Sequence, residues 1–178
     1  MSRVSARHRA AQREPHPGRA AGFVGTRWFN PSVNTDTQRQ GLFWDVLAGR
    51  VAPPPAAVTL GWELLEVHPE QGTIKVAFRA GEQFVNPAGV IQGGFLAAML
   101  DDTLGPALVA TLPEGQFAPT LDLHVQFLRP ARPGRLIGTG RIVQRGKDVC
   151  FLAGELAGTD DKLVATATAT ARIQPVPH

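Results

Sequence analysis

The sequence predicts an α+β domain in which a curved antiparallel sheet wraps around one long central helix. Three observations predict it. Signals for two strands, one long apolar helix and four further strands follow one another in that order. The late strands are separated by short turns, RGKD and TDDK, which favour antiparallel neighbours. A lone apolar helix is most economically buried by a sheet that curves around it. Helices do not alternate with strands, and GGFLAAM is no GxGxxG loop, so a doubly wound nucleotide-binding fold is disfavoured.

Taken in order, residues 1–36 are a basic extension whose composition predicts disorder. Residues 37–57 hold a short helix in TQRQGLFWDVLAG, ending at Gly49 and packed as a flap, and then VAPPPAA, whose prolines fit an extended linker. The main domain is placed at 58–175. It opens with VTLGWELLEV as a strand, turns at HPEQG and returns as TIKVAFRA, where Ile74, Val76 and Phe78 alternate with Lys75, Ala77 and Arg79. The long helix runs from about Gly93 to Leu112, with Gly105-Pro106 marking a point for a kink or an early end, since proline removes a donor and clashes with the preceding turn. PTLDLHVQFL, RLIGTGRIVQ, VCFLAGELAG and LVATATATARI follow as strands. The last alternates most strictly, with Ala165, Ala167, Ala169 and Ala171 on one face and Thr166, Thr168 and Thr170 on the other.

Composition bounds the function. A chain of 178 residues, 43% hydrophobic and 19% charged, suits one domain with a sizeable core. The single cysteine, Cys150, excludes an internal disulfide and a cysteine-rich metal site. No apolar run approaches the roughly 20 residues of a bilayer span, and the N-terminus has no apolar stretch to act as a signal peptide, so a cytoplasmic protein off the membrane is expected. Arg3, Arg7, Arg9, Arg13 and Arg19 against Glu14 give the first twenty residues a net +4, which leaves −1 for the rest of a chain whose total is +3. A nearly neutral body with a basic tail argues against a nucleic-acid partner.

The stretch NPAGVIQGGFLAAMLDDTLG carries the chemistry. At a helix N-terminus the first amides lack intrahelical acceptors, so Gly93-Gly94 suits either an oxyanion hole or a plain loop-to-helix junction. Asp101 shares its face with Ala97, Ala98, Leu104 and Gly105, small neighbours that leave space above the carboxylate. Asp102 lies about 100° round the helix, so at most one of the pair points squarely into a given pocket. On a helix with scarcely any polar face, a buried carboxylate must be paired or used. Gly93 and Asp101 are eight residues apart, about 12 Å along a helix, too far to act on one reacting centre. Two antiparallel helices from two subunits would bring them together, so a joint site requires a dimer.

Asn86, Gly89, Gln92-Gly93-Gly94 and Asp101, followed by PTLDLHVQFLRPARPG and the closing EL…DDKLVATATATARI, resemble the hotdog-fold acyl-CoA thioesterases of the phenylacetate-degradation (PaaI) type, relatives of 4-hydroxybenzoyl-CoA thioesterase. The resemblance covers about Val58 to Ile173. It implies a homodimer, or a tetramer of two dimers, that hydrolyses an aromatic or short- to medium-chain acyl-CoA without a metal or redox cofactor. It implies further that the Gly93 N–H polarises the thioester carbonyl and that Asp101 is general base or nucleophile. Asn86 would place the water or the thioester, and Thr120 matches a Ser/Thr position that assists in some members. Gln92 departs from the family's usual histidine; glutamine hydrogen-bonds but cannot titrate, so any histidine-dependent role is in question. The rivals are a non-catalytic acyl-CoA or hydrophobic-ligand binder on the same fold, and a dehydratase or hydratase, which lacks its usual histidine here.

Gly94 and Asp102 are further candidates for contact with substrate. Arg129 and Arg132 in FLRPARPG, with Arg145 and Lys147 in QRGKD, are candidates for the phosphates of coenzyme A or simple turn charges. His124 alternates with Asp122 and Gln126 on a polar strand face, and the histidines form no metal-ligand spacing. Cys150 is read as a core residue, and no serine sits in a GxSxG elbow. Trp28, Phe29, Phe43 and Trp44 read as anchors of the N-terminal segment or lining of an acyl pocket.

Overall fold

A computed structural model describes residues 39–176; the basic extension, Trp28, Phe29 and His178 lie outside them. Two short helices, α1 (Leu42–Leu47) and α2 (Pro55–Leu60), precede β1 (Glu63–His68) and β2 (Thr73–Ala80). The long helix α3 (Gly93–Val109) follows, then β3 (Gln116–Phe117), β4 (Thr120–Phe127), β5 (Gly134–Arg145), β6 (Val149–Gly158), β7 (Leu163–Arg172) and β8 (Gln174–Pro175). Six strands form one antiparallel sheet in the order β1-β2-β5-β6-β7-β4, and β3 pairs with β8 apart from it. The expected sheet around one helix is what forms. Among the described residues no helix is long and apolar enough to cross a membrane.

The sheet is hollowed to seat the helix. Ala165, Ala167, Ala169 and Ala171 turn the small face of β7 inward, all buried. A Cβ at Gly138 would stand 2.4 Å from Thr103 Oγ1 on α3, and one at Gly154 would stand 2.6 Å from Thr139 O on the neighbouring strand and 2.8 Å from Leu104 Cδ2, so the close approach of α3 sets Gly138 and shares Gly154 with the sheet backbone. Into this trough α3 sinks Met99, Leu100, Leu104 and Leu108, all fully buried. Each such side chain contributes roughly 1.5–3 kcal/mol by leaving water. Cys150 is buried in the same core.

Two expectations need correction. The stretch read as an extended linker and the start of a strand is helical at Pro55–Leu60, so α2 straddles the expected boundary at residue 58. The physical reason is that proline is favoured in a first helical turn, where its fixed φ fits and its missing N–H is not needed. Gly61 then closes α2 in the left-handed conformation, φ 64°, and β1 begins only at Glu63. The flap helix, expected from Thr37, begins at Leu42 among the described residues. It does pack on the main body: Trp44 Nε1 donates to Ala110 O at 3.1 Å, at the C-terminal end of α3.

Helix α3 neither ends nor breaks at Gly105-Pro106. Pro106 has no N–H for the carbonyl four residues back, that of Asp102, and its ring crowds that oxygen. Trp62 supplies the missing donor: its indole N–H bonds Asp102 O at 2.9 Å. The residue just before β1 thus repairs the ladder that Pro106 interrupts.

Candidate active site

Asp101 projects from the middle of α3, and Thr120, the first residue of β4, donates its hydroxyl to Asp101 Oδ1 at 2.8 Å. A strict two-residue period would put Thr120 on the outer face of the sheet with Asp122, His124 and Gln126. The pairing of β4 with β7 slips by one residue between Thr120 and Asp122, which pair with Ala171 and Thr170. That bulge turns Thr120 inward, opposite the buried Ala171, and onto the carboxylate.

Asp101 and Thr120 stand in the wall of a cavity of about 490 Å³ roofed by α1 and α2. The rest of its lining is almost wholly apolar and includes Phe43, Leu47, Trp62, Val109 and Phe117. Asp102 borders it too, with Oδ2 shut off from solvent and without a hydrogen-bond partner. Its carboxyl is pushed up from 3.8 to about 6, by burial first and by the neighbouring Asp101 charge second. The two aspartates thus differ in kind: one is held by a hydroxyl, the other is enclosed without a partner.

Gly93 lies elsewhere. It opens α3, with Gln92 as the N-cap residue, and lines a second cavity of about 330 Å³ with Phe127, Leu128 and Arg129. A Cβ on Gly93 would come within 3.0 Å of the Phe127 ring, and one on Gly94 within 2.8 Å of Gln92 Oε1. Gln92 makes no side-chain cap; its backbone N–H bonds Phe84 O at 2.8 Å. Asn86 organises the loop before the helix, its Oδ1 accepting from the N–H of Ala88 at 2.9 Å and of Val90 at 3.4 Å.

One chain therefore does not bring all the candidates together. Asp101, Asp102 and Thr120 share one cavity, while Gly93 and Arg129 share another. Arg132, exposed, follows Arg129 on the loop after β4. Arg145 and Lys147 fall at the opposite end: Arg145 Nη1 donates to Thr111 Oγ1 at 2.8 Å, just beyond the C-terminus of α3. His124 lines a groove on the outer sheet face with Arg141 and Glu155, away from α3. Cys150 sits in the core with its thiol pushed up, chiefly by burial. Among the described residues no three His, Cys, Asp or Glu side chains gather where they could hold a metal ion.

Sequence reasoning missed the places of Trp62 and Phe117 in the cavity wall. For Trp62 a signal existed, since a proline inside a helix leaves a carbonyl in want of a donor. Phe43 was named as a candidate lining residue, and it is one.

A single six-stranded antiparallel sheet wrapped around one long helix is the hotdog fold, here carrying a carboxylate in the wall of an apolar cavity. Residues 88–165 match the family model described as "Thioesterase superfamily". The phenylacetic acid degradation-related protein of Ralstonia eutropha JMP134, a crystal structure, is 45% identical over 73% of this chain and 98% of that one, with a TM-score of 0.71. The medium/long-chain acyl-CoA thioesterase YigI of Salmonella typhimurium is 31% identical over 46% of this chain and 61% of its own length. A Bacillus halodurans protein crystallised with CoA is 27% identical, covering 56% of this chain and 66% of that one, with a TM-score of 0.54. The chain belongs to the thioesterase superfamily and is a thioester hydrolase, as the motif and strand order implied.

Proposed function

We propose that the protein is an acyl-CoA thioesterase that hydrolyses an aromatic or short- to medium-chain acyl-CoA to the free acid and CoA, working as a homodimer. The observation that carries the proposal is the Asp101 carboxylate, fixed by Thr120 in the wall of an apolar cavity. Thr120 occupies Oδ1 and orients Oδ2 toward a water or the thioester carbon. As general base, Asp101 takes the proton of the attacking water, and the C–S bond breaks to release CoA; as nucleophile, it displaces the CoA thiolate to form a mixed anhydride that water then cleaves to the free acid and the restored carboxylate. In both routes the developing oxyanion needs donors, and the first amides of α3 at Gly93, with the positive end of the helix dipole, supply them. On this reading Asn86 and Gln92, which precede α3, assist with their side-chain amides. The chemistry asks for no metal or redox group.

The dimer follows from β4. With β1 it is one of the two edge strands of the sheet, and of the two it is β4 that exposes large apolar side chains, Leu121 and Phe127 at 60% and 54%. An exposed apolar edge is a template for pairing with another chain. Antiparallel pairing of β4 with its copy sets the Phe127 end of one strand beside the Thr120 end of the other. Phe127 touches Gly93, and Thr120 holds Asp101, so this pairing delivers the partner subunit's Gly93 to Asp101. It also brings the partner subunit's Arg129 and Arg132 to the end where Arg145 and Lys147 lie, a cationic rim suited to phosphates.

The test is thiol release from a panel of acyl-CoAs, with Asp101→Asn alongside and light scattering on both proteins. Turnover by a dimer, lost in Asp101→Asn with the dimer intact, is expected. Retained turnover in the variant, or a strictly monomeric active protein, would sink the assignment. Binding of acyl-CoA without turnover would instead favour a ligand-binding member of the fold.

A further inference from the structure

On the thioesterase reading of Asp101, we infer that the acyl chain enters the cavity roofed by α1 and α2 of the same chain, and that Gly105 sets how much chain it admits. The preferred substrates are then medium-chain or arylacyl thioesters and not acetyl-CoA. At the carbonyl carbon beside Asp101 the two arms of the thioester diverge. The CoA arm carries phosphates, which lose their hydration in an apolar enclosure, so it must point to solvent. The acyl arm is left with the cavity. At about 490 Å³ this lies within the 300–1,000 Å³ typical of small-molecule sites, and an acetyl group would leave most of it unfilled.

Gly105 is the residue that keeps this space open. It stands four residues after Asp101, so the two share a helix face. A Cβ built on Gly105 meets nothing within 4 Å, whereas one on Gly138 or Gly154 collides with α3 side chains. Packing therefore does not demand a glycine at 105. Neither does the backbone, since Gly105 is helical and is not among the glycines with positive φ. A glycine inside a helix is destabilising relative to alanine, and Pro106 beside it adds a lost hydrogen bond. What the glycine leaves is room in the wall of the cavity next to Asp101.

The roof is fastened as a pocket wall would be. Trp44 ties α1 to Ala110 O, and Arg50 Nε donates to Asp45 Oδ1 at 2.8 Å across the end of α1. Phe43 and Leu47 face inward from this anchored turn, with Trp62 and Val109 beside them. The segment ahead of the sheet therefore builds substrate specificity into the site.

The experiment measures kcat/KM of the full chain, Gly105→Ala and Gly105→Leu on acetyl-, butyryl-, octanoyl- and phenylacetyl-CoA, with thermal unfolding of each protein to confirm folding. Wild type should prefer octanoyl- or phenylacetyl-CoA to acetyl-CoA. Gly105→Leu should lower the octanoyl-to-acetyl ratio by at least about tenfold, the scale at which pockets discriminate by size, with Gly105→Ala between. A ratio in Gly105→Leu that stays within about twofold of wild type would overturn the pocket. If wild type hydrolyses none of the four, the thioesterase reading fails, and calorimetric titration with octanoyl-CoA and CoA decides the pocket separately. Loss of the octanoyl-CoA advantage in Gly105→Leu upholds it, and an unchanged advantage overturns it.

Discussion

Replacing Asp102 with asparagine should stabilise the protein at neutral and alkaline pH and leave it unchanged in acid. Its Oδ2 is enclosed without a partner, and its carboxyl is pushed up from 3.8 to about 6 by burial and by the Asp101 charge. A carboxyl whose pKa is higher folded than unfolded binds more protons in the folded state between the two values. Stability therefore falls as pH rises through that window. Below the lower value the group is neutral in both states and costs nothing; above about 6 the whole cost is present. A displacement of roughly 2 units at 1.36 kcal/mol each comes to about 3 kcal/mol. Asparagine, of the same shape and uncharged, escapes that cost at every pH. Urea unfolding of both proteins between about pH 3 and pH 8 should give free energies that coincide at the acid end and separate by about 3 kcal/mol at the alkaline end. Asp101→Asn in both backgrounds should narrow the gap, because it removes the smaller of the two causes. A gap that stays constant with pH, or a variant less stable at pH 8, would refute a desolvated carboxyl at this position.

Trp62→Phe keeps an aromatic ring against the cavity but withdraws the donor from Asp102 O, so it should cost about 1–3 kcal/mol in denaturant unfolding. The loss should shrink when Pro106 is replaced by alanine, which restores a backbone N–H to that carbonyl. Thr120→Ala frees the Asp101 carboxylate from its orienting hydroxyl, and kcat should fall by about 10- to 100-fold with KM little changed, while Thr120→Ser recovers most of the rate. Equal kcat in Thr120→Ala and wild type would show that the hydroxyl has no part in placing the carboxylate.

The fold was legible because its main signals are periodic and long. The Ala/Thr alternation of residues 163–173 marked β7 as a strand with two unlike faces, and the order of strands around one apolar helix left little choice of architecture; that the alanine face is the buried one is read from the structure. What escaped the sequence was local chemistry satisfied from far away. Pro106 looks like a helix breaker when only its neighbours are considered, and the indole that repairs the break is more than forty residues earlier in the chain. Thr120 looks outward by alternation, and only the slip in the β4–β7 register turns it onto Asp101. The candidate site was half legible for a related reason. The spacing of Gly93 and Asp101 already demanded a second subunit, and the structure sharpens that demand, because the two residues line separate cavities at the two ends of β4. On the proposed dimer, a strand that carries Asp101's hydrogen-bond partner at one end and Gly93's neighbour at the other would complete the site by meeting its own copy head to tail. The exposed apolar side chains on that strand would then serve catalysis, since on that proposal the contact that covers them also assembles the site.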